Sequence, residues 1–514
     1  MSSKAPVHDI FQRRTAGVLL HPTSLPATLL GRKLPCGTLG KPAHYFIHFL
    51  TSTGLGVWQM LPTGPTHQDR SPYNACSAHA GNPDLICLES LIEQGWCKAE
   101  TLESLLSDTL NFTQLANLRE NASEDFYHWL HKMASAEQRK AFSQFCEDNH
   151  YWLDDFCLFS AIRKNFKNTS WQQWPEAYRR RDANTLHEAR KTLEPSIAIT
   201  RFEQYCFFHQ WQSVRQHATD CGITLFGDMP IFVALDSADV WSNQQQFQLD
   251  DQGRAVTVAG VPPDYFSATG QHWGNPHYNW QAMGKDGFSW WLARMRTQLA
   301  QFDLVRIDHF RGLEAFWEIP AADPDASTGR WVKAPGEALL TALFNEFNNF
   351  ALIAENLGLI TPEVEALRRA FHLPGMYVLQ FGFDGNPQNI NLPHHYEPLN
   401  VVYTGTHDNA TSAEWIAALP KNEQLRLADY LGITHNPECW DLIKTALASV
   451  ARMAIIPLQD WLQLGEAARM NTPGTTGHNW QWQFDWSQVA EDLPGRIQHE
   501  LTQYDRTGNP IPFH

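Results

Sequence analysis

The segment Leu304-Val305-Arg306-Ile307-Asp308-His309-Phe310 starts as an apolar run and ends in polar and charged residues. Such a run is typical of a buried parallel strand whose C-terminal end opens into a site. Side chains alternate along a strand, so Arg306 and Asp308 share one face. We expect the arginine to lower the pKa of Asp308 and keep it ionised, as a nucleophile or a cation stabiliser requires. A structural ion pair would explain this segment equally well.

Seven further runs have the same pattern, and most are separated by enough residues for a helix. Eight strand–helix repeats close a barrel whose functional groups lie at the C-terminal ends of the strands. The sequence therefore predicts an α/β fold of the (β/α)8 TIM-barrel type. The predicted strands span residues 17–25, 56–62, 223–233, 304–311, 352–357, 376–383, 401–408 and 455–460.

Two intervals between predicted strands are much longer than a single crossover helix. After the second strand, residues 66–222 contain strongly helical segments, of which 202–217 has clear helical spacing of apolar residues. After the third strand, residues 234–303 carry a loop rich in Pro and Gly. We predict one catalytic unit, 1–514, with largely helical insertions around the C-terminal mouth. These are a helical subdomain at 66–222 and a substrate-loop subdomain at 234–303.

The composition favours a neutral ligand. The 514-residue chain has 39 Lys+Arg and 55 Asp+Glu, and its formal net charge of −16 disfavours nucleic acid as a partner. Only 18% of residues are charged, whereas 20 Trp and 12% aromatic residues suit a hydroxyl-rich ligand. No apolar stretch is long enough to span a bilayer, and residues 1–16 lack the apolar region of a signal peptide. We therefore predict a cytoplasmic protein with no membrane partner.

Neither the cysteines nor the histidines indicate a metal site. The nine cysteines include no Cys-x-x-Cys pair, which argues against both a zinc site and a disulfide framework. His44 and His48 have i, i+4 spacing but lack the Glu of a zinc-protease helix, so ordinary packing is the favoured interpretation. We expect no metal ion and no cofactor.

Three other predicted strands carry carboxylates near their ends: Asp228 in strand three, Glu355 in strand five and Asp408 in strand seven. Together with Asp308 they would crowd like charges at one mouth of the barrel, so at least one carboxyl should stay protonated as a general acid. We interpret Asp308, Glu355 and Asp408 as nucleophile, acid/base and substrate-distorting helper. Metal ligation is the less favoured alternative, because the neighbours are neutral His and Asn residues without a dense acidic loop.

Several longer motifs are highly specific. They are His21-Pro22-Thr23-Ser24-Leu25, Ser71-Pro72-Tyr73, Gly227-Asp228-Met229-Pro230-Ile231-Phe232-Val233, Gly260-Val261-Pro262-Pro263-Asp264-Tyr265-Phe266-Ser267, Gly270-Gln271-His272-Trp273-Gly274-Asn275-Pro276 and Asn479-Trp480-Gln481-Trp482. Over nearly its whole length the chain resembles the amylomaltases, or 4-α-glucanotransferases, of glycoside hydrolase family 77. It resembles the short form of that family, without a separate C-terminal β-domain.

The resemblance implies a retaining enzyme that transfers α-1,4-glucan segments between maltooligosaccharides through a covalent intermediate on Asp308. Glu355 would be the acid/base and Asp408 the third carboxylate. Maltooligosaccharides and α-1,4-glucans would be donors, and glucose or maltooligosaccharides would be acceptors. The residues expected to hold sugar hydroxyls or rings are Ser71, Tyr73, Asp228, Asp264, Gln271, Trp273, Arg306, His407 and Asn471.

Three aromatic residues, Tyr265, Phe266 and Trp273, lie on the loop 260–274 of the second insertion. Their flat apolar faces suit sugar rings and could cover a cleft. Alternatively, they pack the loop against the barrel. We favour contact with the ligand, because aromatic residues this dense on a loop would otherwise expose much apolar surface.

Two other functions are less favoured alternatives. A retaining α-1,4-glucan hydrolase would share the three carboxylates and differ only in letting water compete with sugar. A non-catalytic glucan-binding protein would lack Asp308 or Glu355, and both residues are present.

The chain departs from the family pattern at a few positions. Asn356 stands where the family usually has Asp after the acid/base, and His67-Gln68 stands where members often carry a Gly-Tyr pair that helps a second glucan site. Neither departure removes a predicted catalytic group.

Overall fold

The computed structural model describes residues 7–107, 110–263, 267–348 and 350–508. Its central feature is one sheet of eight parallel strands that curves into a barrel, in the order β5-β4-β3-β2-β1-β8-β7-β6. All eight predicted strands are present, which confirms the TIM-barrel prediction. The strands are β1 (Thr15–Leu19), β2 (Val57–Gln59), β3 (Thr224–Pro230), β4 (Leu304–Asp308), β5 (Ala351–Ala354), β6 (Gly375–Val378), β7 (Asn400–Tyr403) and β8 (Met453–Pro457).

All eight observed strands are shorter than predicted, because several polar residues assigned to strand ends belong to the loops of the mouth. Within β4 the predicted alternation holds. Val305 and Ile307 pack in the main core under the helices, whereas Leu304 belongs to a second cluster formed by alternate residues of the strands. Arg306 and Asp308 continue the face of Leu304 towards the C-terminal end of the strand.

The barrel closes between β5 and β6 through only a few hydrogen bonds. The Ala354 amide donates to the Pro374 carbonyl at 2.8 Å, just before β6 begins. The side chain of Asn356 then extends the junction: its Oδ1 accepts from the Met376 amide at 2.9 Å, and its Nδ2 donates to Glu365 Oε1 at 2.8 Å. The asparagine that departs from the family pattern therefore joins β5, β6 and the following helix.

Helices surround the barrel, and eight of those in the described residues lie between β2 and β3. None of the helices in the described ranges combines the length and apolarity required to cross a bilayer. The helices are α1 (Lys41–Thr53), α2 (Leu88–Glu93), α3 (Ala99–Glu103), α4 (Phe112–Lys132), α5 (Ala136–Asp148), α6 (His150–Asn165), α7 (Glu176–Arg179), α8 (Ala183–Thr192), α9 (Glu194–Asp220), α10 (Ala238–Ser242), α11 (Trp280–Lys285), α12 (Ser289–Gln301), α13 (Gly336–Glu346), α14 (Pro362–Ala370), α15 (Ser412–Ala418), α16 (Lys421–Leu431), α17 (Cys439–Ala448), α18 (Leu458–Trp461) and α19 (Leu493–Gln503).

A four-stranded antiparallel sheet at the barrel mouth was not foreseen from the sequence. Its strands are Arg330–Lys333, Ala315–Pro320, Thr257–Val261 and Gln271–Pro276, in that order. The last two form a hairpin from the segment after β3, and the first two come from the segment after β4. Both ends of the predicted loop 260–274 therefore lie in strands of this hairpin, which pairs with a distant part of the chain.

The closure by Asn356 is testable through stability. Asn356→Ala should lower the free energy of unfolding by about 1–3 kcal/mol, because the buried Met376 amide loses its acceptor. Urea denaturation measures the change, and Asn117→Ala, at an exposed position on α4, is the control. Equal denaturation midpoints for the two variants would contradict a role for Asn356 in closing the barrel.

Candidate active site

Arg306 lies between two carboxylates at the C-terminal end of the barrel. The register of β3 and β4 places Asp228 beside Arg306 and Pro230 beside Asp308. One terminal nitrogen of the guanidinium donates to Asp228 Oδ2, and the other donates to Asp308 Oδ1 at 2.5 Å. The Arg306 and Asp228 side chains are almost fully buried, whereas that of Asp308 is 29% exposed. Only Asp308 of the two carboxylates therefore faces open space.

Glu355 follows β5 and is held by backbone amides. Its Oε2 accepts from the His309 amide at 2.7 Å, and its Oε1 accepts from the Leu357 amide at 2.8 Å. His309 has a φ of 53°, in the left-handed region, which is unusual for a residue other than glycine. This turn directly after Asp308 points its amide at Glu355, so the two carboxyl groups are positioned by adjacent residues.

Asp408 lies beyond the end of β7 and is the most exposed of the carboxylates, with 48% of its side chain accessible. Its Oδ1 accepts a hydrogen bond from Asn471 Nδ2 at 2.6 Å and lies 3.4 Å from His407 Nε2. Asn471 belongs to the segment after β8, so this contact links two neighbouring strand ends.

Tyr73 lines the same cleft beside His407. Its hydroxyl donates to Asp228 Oδ2 at 2.7 Å, and its ring stacks on the His407 imidazole with centroids 5.1 Å apart. Buried Asp228 thus holds both Arg306 and Tyr73 in place.

Burial dominates the protonation of the site. It raises the pKa of Asp308 to about 8, although Arg306 acts in the opposite direction. Burial also raises the pKa of Glu355, again opposed by Arg306 and by the two backbone amides. The pKa of Arg306 itself would be lowered by burial, but Asp228 and Asp308 raise it well above its usual value.

Arg306 lowers the pKa of Asp308, as expected, but burial outweighs this effect, so the expectation of a low pKa for Asp308 is wrong. The sequence places the arginine beside the carboxylate but does not show how much water the folded chain removes, or how many other carboxylates lie nearby. Glu355 contributes to the upward shift of the pKa of Asp308, so the two carboxyl groups influence each other's protonation. Burial also lowers the pKa of His407, which leaves this imidazole neutral at pH 7.

These groups line a cleft with a volume of about 820 Å³. The indole of Trp273 is 38% exposed, donates to Gln271 Oε1 at 3.0 Å and meets the His309 ring edge-on. The predicted residues that line the cleft are Ser71, Tyr73, Gln271, Trp273, Arg306, Asp308, Glu355, His407 and Asp408.

Some predicted residues lie elsewhere. Asp228 and Asn471 lie behind the cleft surface, where they contact lining residues through hydrogen bonds. Asp264, Tyr265 and Phe266 lie outside the described residues.

Sequence reasoning missed several lining residues. Phe381, 45% exposed, was assigned to the sixth predicted strand, but it lies in a short turn after β6 and its ring faces the cleft. An aromatic residue just beyond the C-terminal end of a barrel strand could have signalled this. Asp69 and Asn74 also line the cleft, and Asp69 Oδ2 accepts from Asn74 Nδ2 at 2.9 Å. They flank the Ser71-Pro72-Tyr73 motif, and the contact between them is a product of the fold.

Known proteins resemble this chain over nearly its whole length. The family model described as 4-alpha-glucanotransferase, of glycoside hydrolase family 77, matches residues 20–488. The 4-alpha-glucanotransferase of Thermus thermophilus is 45% identical over 95% of this chain and 96% of its own length. That of Synechocystis is 41% identical over 97% and 99%.

A solved structure agrees with the sequence comparison. The amylomaltase from Streptococcus agalactiae, in complex with acarbose, superposes with a TM-score of 0.91 and 33% identity over 96% of this chain and 100% of that one. The amylomaltase from Corynebacterium glutamicum, at 19% identity and a TM-score of 0.74, shares the fold. By the family model and by these relatives, the chain belongs to the 4-alpha-glucanotransferase family.

Proposed function

We propose that this enzyme is a retaining 4-α-glucanotransferase that works through a covalent glycosyl intermediate on Asp308, with Glu355 as acid/base. The assignment rests on the way in which consecutive residues position the two carboxyl groups. Arg306 donates to Asp308, and the amide of the next residue, His309, donates to Glu355. Retaining enzymes need two such carboxyl groups about 5–5.5 Å apart.

In the first step, protonated Glu355 gives its proton to the glycosidic oxygen while Asp308 attacks the anomeric carbon. The bond from that carbon to the leaving sugar breaks, the leaving sugar departs with a 4-OH, and a glycosyl ester forms on Asp308. We propose that the pair shares one proton and that this proton lies on Glu355 in the enzyme–substrate complex, because Arg306 donates directly to Asp308 and stabilises its ionised form there.

In the second step, ionised Glu355 takes a proton from the 4-OH of an acceptor sugar, whose oxygen attacks the glycosyl ester and frees Asp308. Donors would be maltooligosaccharides and α-1,4-glucans, and acceptors would be glucose or maltooligosaccharides. Transfer rather than hydrolysis requires that the acceptor be oriented at high effective concentration and that bulk water be kept out. The indole of Trp273, exposed above His309, offers a flat face for an acceptor ring.

The remaining polar groups would bind and distort the sugar at the cleaved bond. Asp408, held by Asn471, can accept from sugar hydroxyls, and neutral His407 can donate to or accept from them. Asp228 would act as a positioning residue, because it holds Arg306 and Tyr73 from behind the surface. A cytoplasmic location is also proposed, and the nine free cysteines of the chain support it.

The different roles of Asp308 and Glu355 predict different effects of their substitution. Asp308→Asn should lower turnover of maltotriose by several orders of magnitude while glucan still binds, since an amide cannot form the ester. Glu355→Gln should accumulate the intermediate from an α-glycosyl fluoride, whose leaving group needs no acid, and peptide mass spectrometry should find the sugar on Asp308. Activity above about a tenth of wild type in Asp308→Asn, a deficit of only about 1.4 kcal/mol, would exclude the assignment. Detection of the sugar on a carboxylate other than Asp308 would also exclude the assignment.

The shared proton predicts a bell-shaped pH profile for kcat/KM. Activity should fall on the acid side when both carboxyl groups are protonated, and on the alkaline side, near pH 8, when the pair loses its proton. Asp228 raises the pKa of both Asp308 and Glu355. Asp228→Asn removes that negative charge, so the alkaline limb should move to lower pH.

The control, Asp303→Asn, changes a carboxylate that pairs with Arg215 and does not line the cleft. An unmoved alkaline limb in Asp228→Asn would argue against the shared proton.

The acceptor role of Trp273 predicts a shift from transfer to hydrolysis. Trp273→Ala should weaken acceptor binding by about 1–3 kcal/mol of lost apolar contact and leave the carboxylates intact. Chromatography of maltotriose reactions should show less disproportionation and a larger share of cleaved bonds that end as new reducing ends. Trp331→Ala is the matched control: this indole is 39% exposed on the same antiparallel sheet, but it packs on Arg311 outside the cleft. An equal loss of transfer and hydrolysis in Trp273→Ala would mean that the indole supports the fold and does not bind the acceptor.

A further inference from the structure

Two pairs of potential metal ligands meet where α1 packs against the C-terminal end of α9. His44 and His48 are one turn apart on α1. His217 and Cys221 are one turn apart at the end of α9, where Cys221 is the C-cap. Only the first pair is visible as a motif in the sequence, because 169 residues separate His48 from His217 and spacing along the chain does not show that they meet.

The three side chains of His48, His217 and Cys221 converge. One ligand atom from each lies within 4.8 Å of the others, and the Cys221 Sγ is 3.9 Å from His217 Nε2. The rings of His48 and His217 meet edge to face at an angle of 67°, with centroids 4.6 Å apart. Ligands of tetrahedral zinc lie about 3.3–3.7 Å from one another, given Zn–N and Zn–S bonds of about 2.0–2.3 Å. Small side-chain rotations would therefore bring the three atoms onto one ion.

The surroundings suit a cation. The His44 ring stacks on His217 with centroids 4.8 Å apart, which limits the motion of His217. His48 is exposed, and His217 and Cys221 are partly exposed, so an ion can enter directly from solvent.

We propose that His48, His217 and Cys221 form a site for a thiophilic divalent cation such as Zn²⁺, with a fourth position open to water. Two imidazoles and one thiolate are ligands that zinc prefers over the oxygen ligands of Ca²⁺ or Mg²⁺. None of the three residues lines the active-site cleft. The ion would join the helix after β1 to the last helix of the 66–222 segment, and so strengthen the fold without entering the reaction.

Metal binding tests the site directly. The chain, stripped with a chelator and dialysed, should take up about one equivalent of Zn²⁺ by elemental analysis. Co²⁺ in its place should give a thiolate-to-cobalt charge-transfer band in the near ultraviolet. Cys221→Ser and His217→Ala should each lose stoichiometric uptake and the band. Cys146→Ser and His187→Ala, at accessible positions outside the cluster, are matched controls that should keep both.

Alkylation of the native protein gives a second readout. Cys146 and Cys221 are the two cysteines that are not buried. Zn²⁺ should slow modification of Cys221, resolved by peptide mass spectrometry, without changing that of Cys146. At a free Zn²⁺ concentration of 100 times Kd, the unfolding equilibrium constant should fall about 100-fold in wild type and not in Cys221→Ser.

The outcome is separate from the proposed enzyme function. Absence of zinc uptake, or uptake that persists in Cys221→Ser and His217→Ala, would overturn the site and leave the catalytic assignment intact. Transfer of maltotriose by His217→Ala should match that of wild type.

Discussion

The structure of the site depends on a buried guanidinium held between two carboxylates. Removing Arg306 from water is costly, and the cost is offset only because Asp228 and Asp308 both accept from it. Loss of one partner of a buried pair typically costs about 3–5 kcal/mol, since the other charge is left uncompensated. Arg306 therefore fixes the direction of Asp308, and through Asp228 it also fixes the hydroxyl of Tyr73. One cation organises groups from β3, β4 and the loop after β2.

The barrel turns this arrangement into a reactive pair. Burial pushes the pKa values of Asp308 and Glu355 upward, and Arg306 opposes the shift in both. Neither effect alone would suit a retaining reaction. Burial alone would favour the protonated form of both carboxyl groups, and the arginine alone would favour the ionised form of both. Burial and the arginine act in opposite directions on both carboxyl groups, and the proposed division into nucleophile and acid depends on that balance.

Much of this could be predicted from the sequence. Apolar runs located all eight strands, and their polar ends located Asp308, Glu355 and Asp408, because both signals are local. Features that depend on distant segments could not be predicted. These include the side-chain closure by Asn356, the antiparallel sheet at the mouth, and the meeting of His48 with His217. The pKa of Asp308 was mistaken because desolvation depends on the whole fold, whereas the neighbouring arginine is visible in the sequence.

The antiparallel sheet at the mouth also constrains how this enzyme can be recombined with its relatives. The hairpin that carries Trp273 obtains its inner neighbour, Ala315–Pro320, from the segment after β4. A chimaera that exchanges only the segment between β3 and β4 would pair the hairpin of one enzyme with the strand Ala315–Pro320 of another. Side chains at their contact, such as Ile319, which is fully buried against Val258, would then no longer fit together. Crossover points should therefore lie before β3 and after Lys333, so that the hairpin, β4 and the strand that supports the hairpin are inherited as one block.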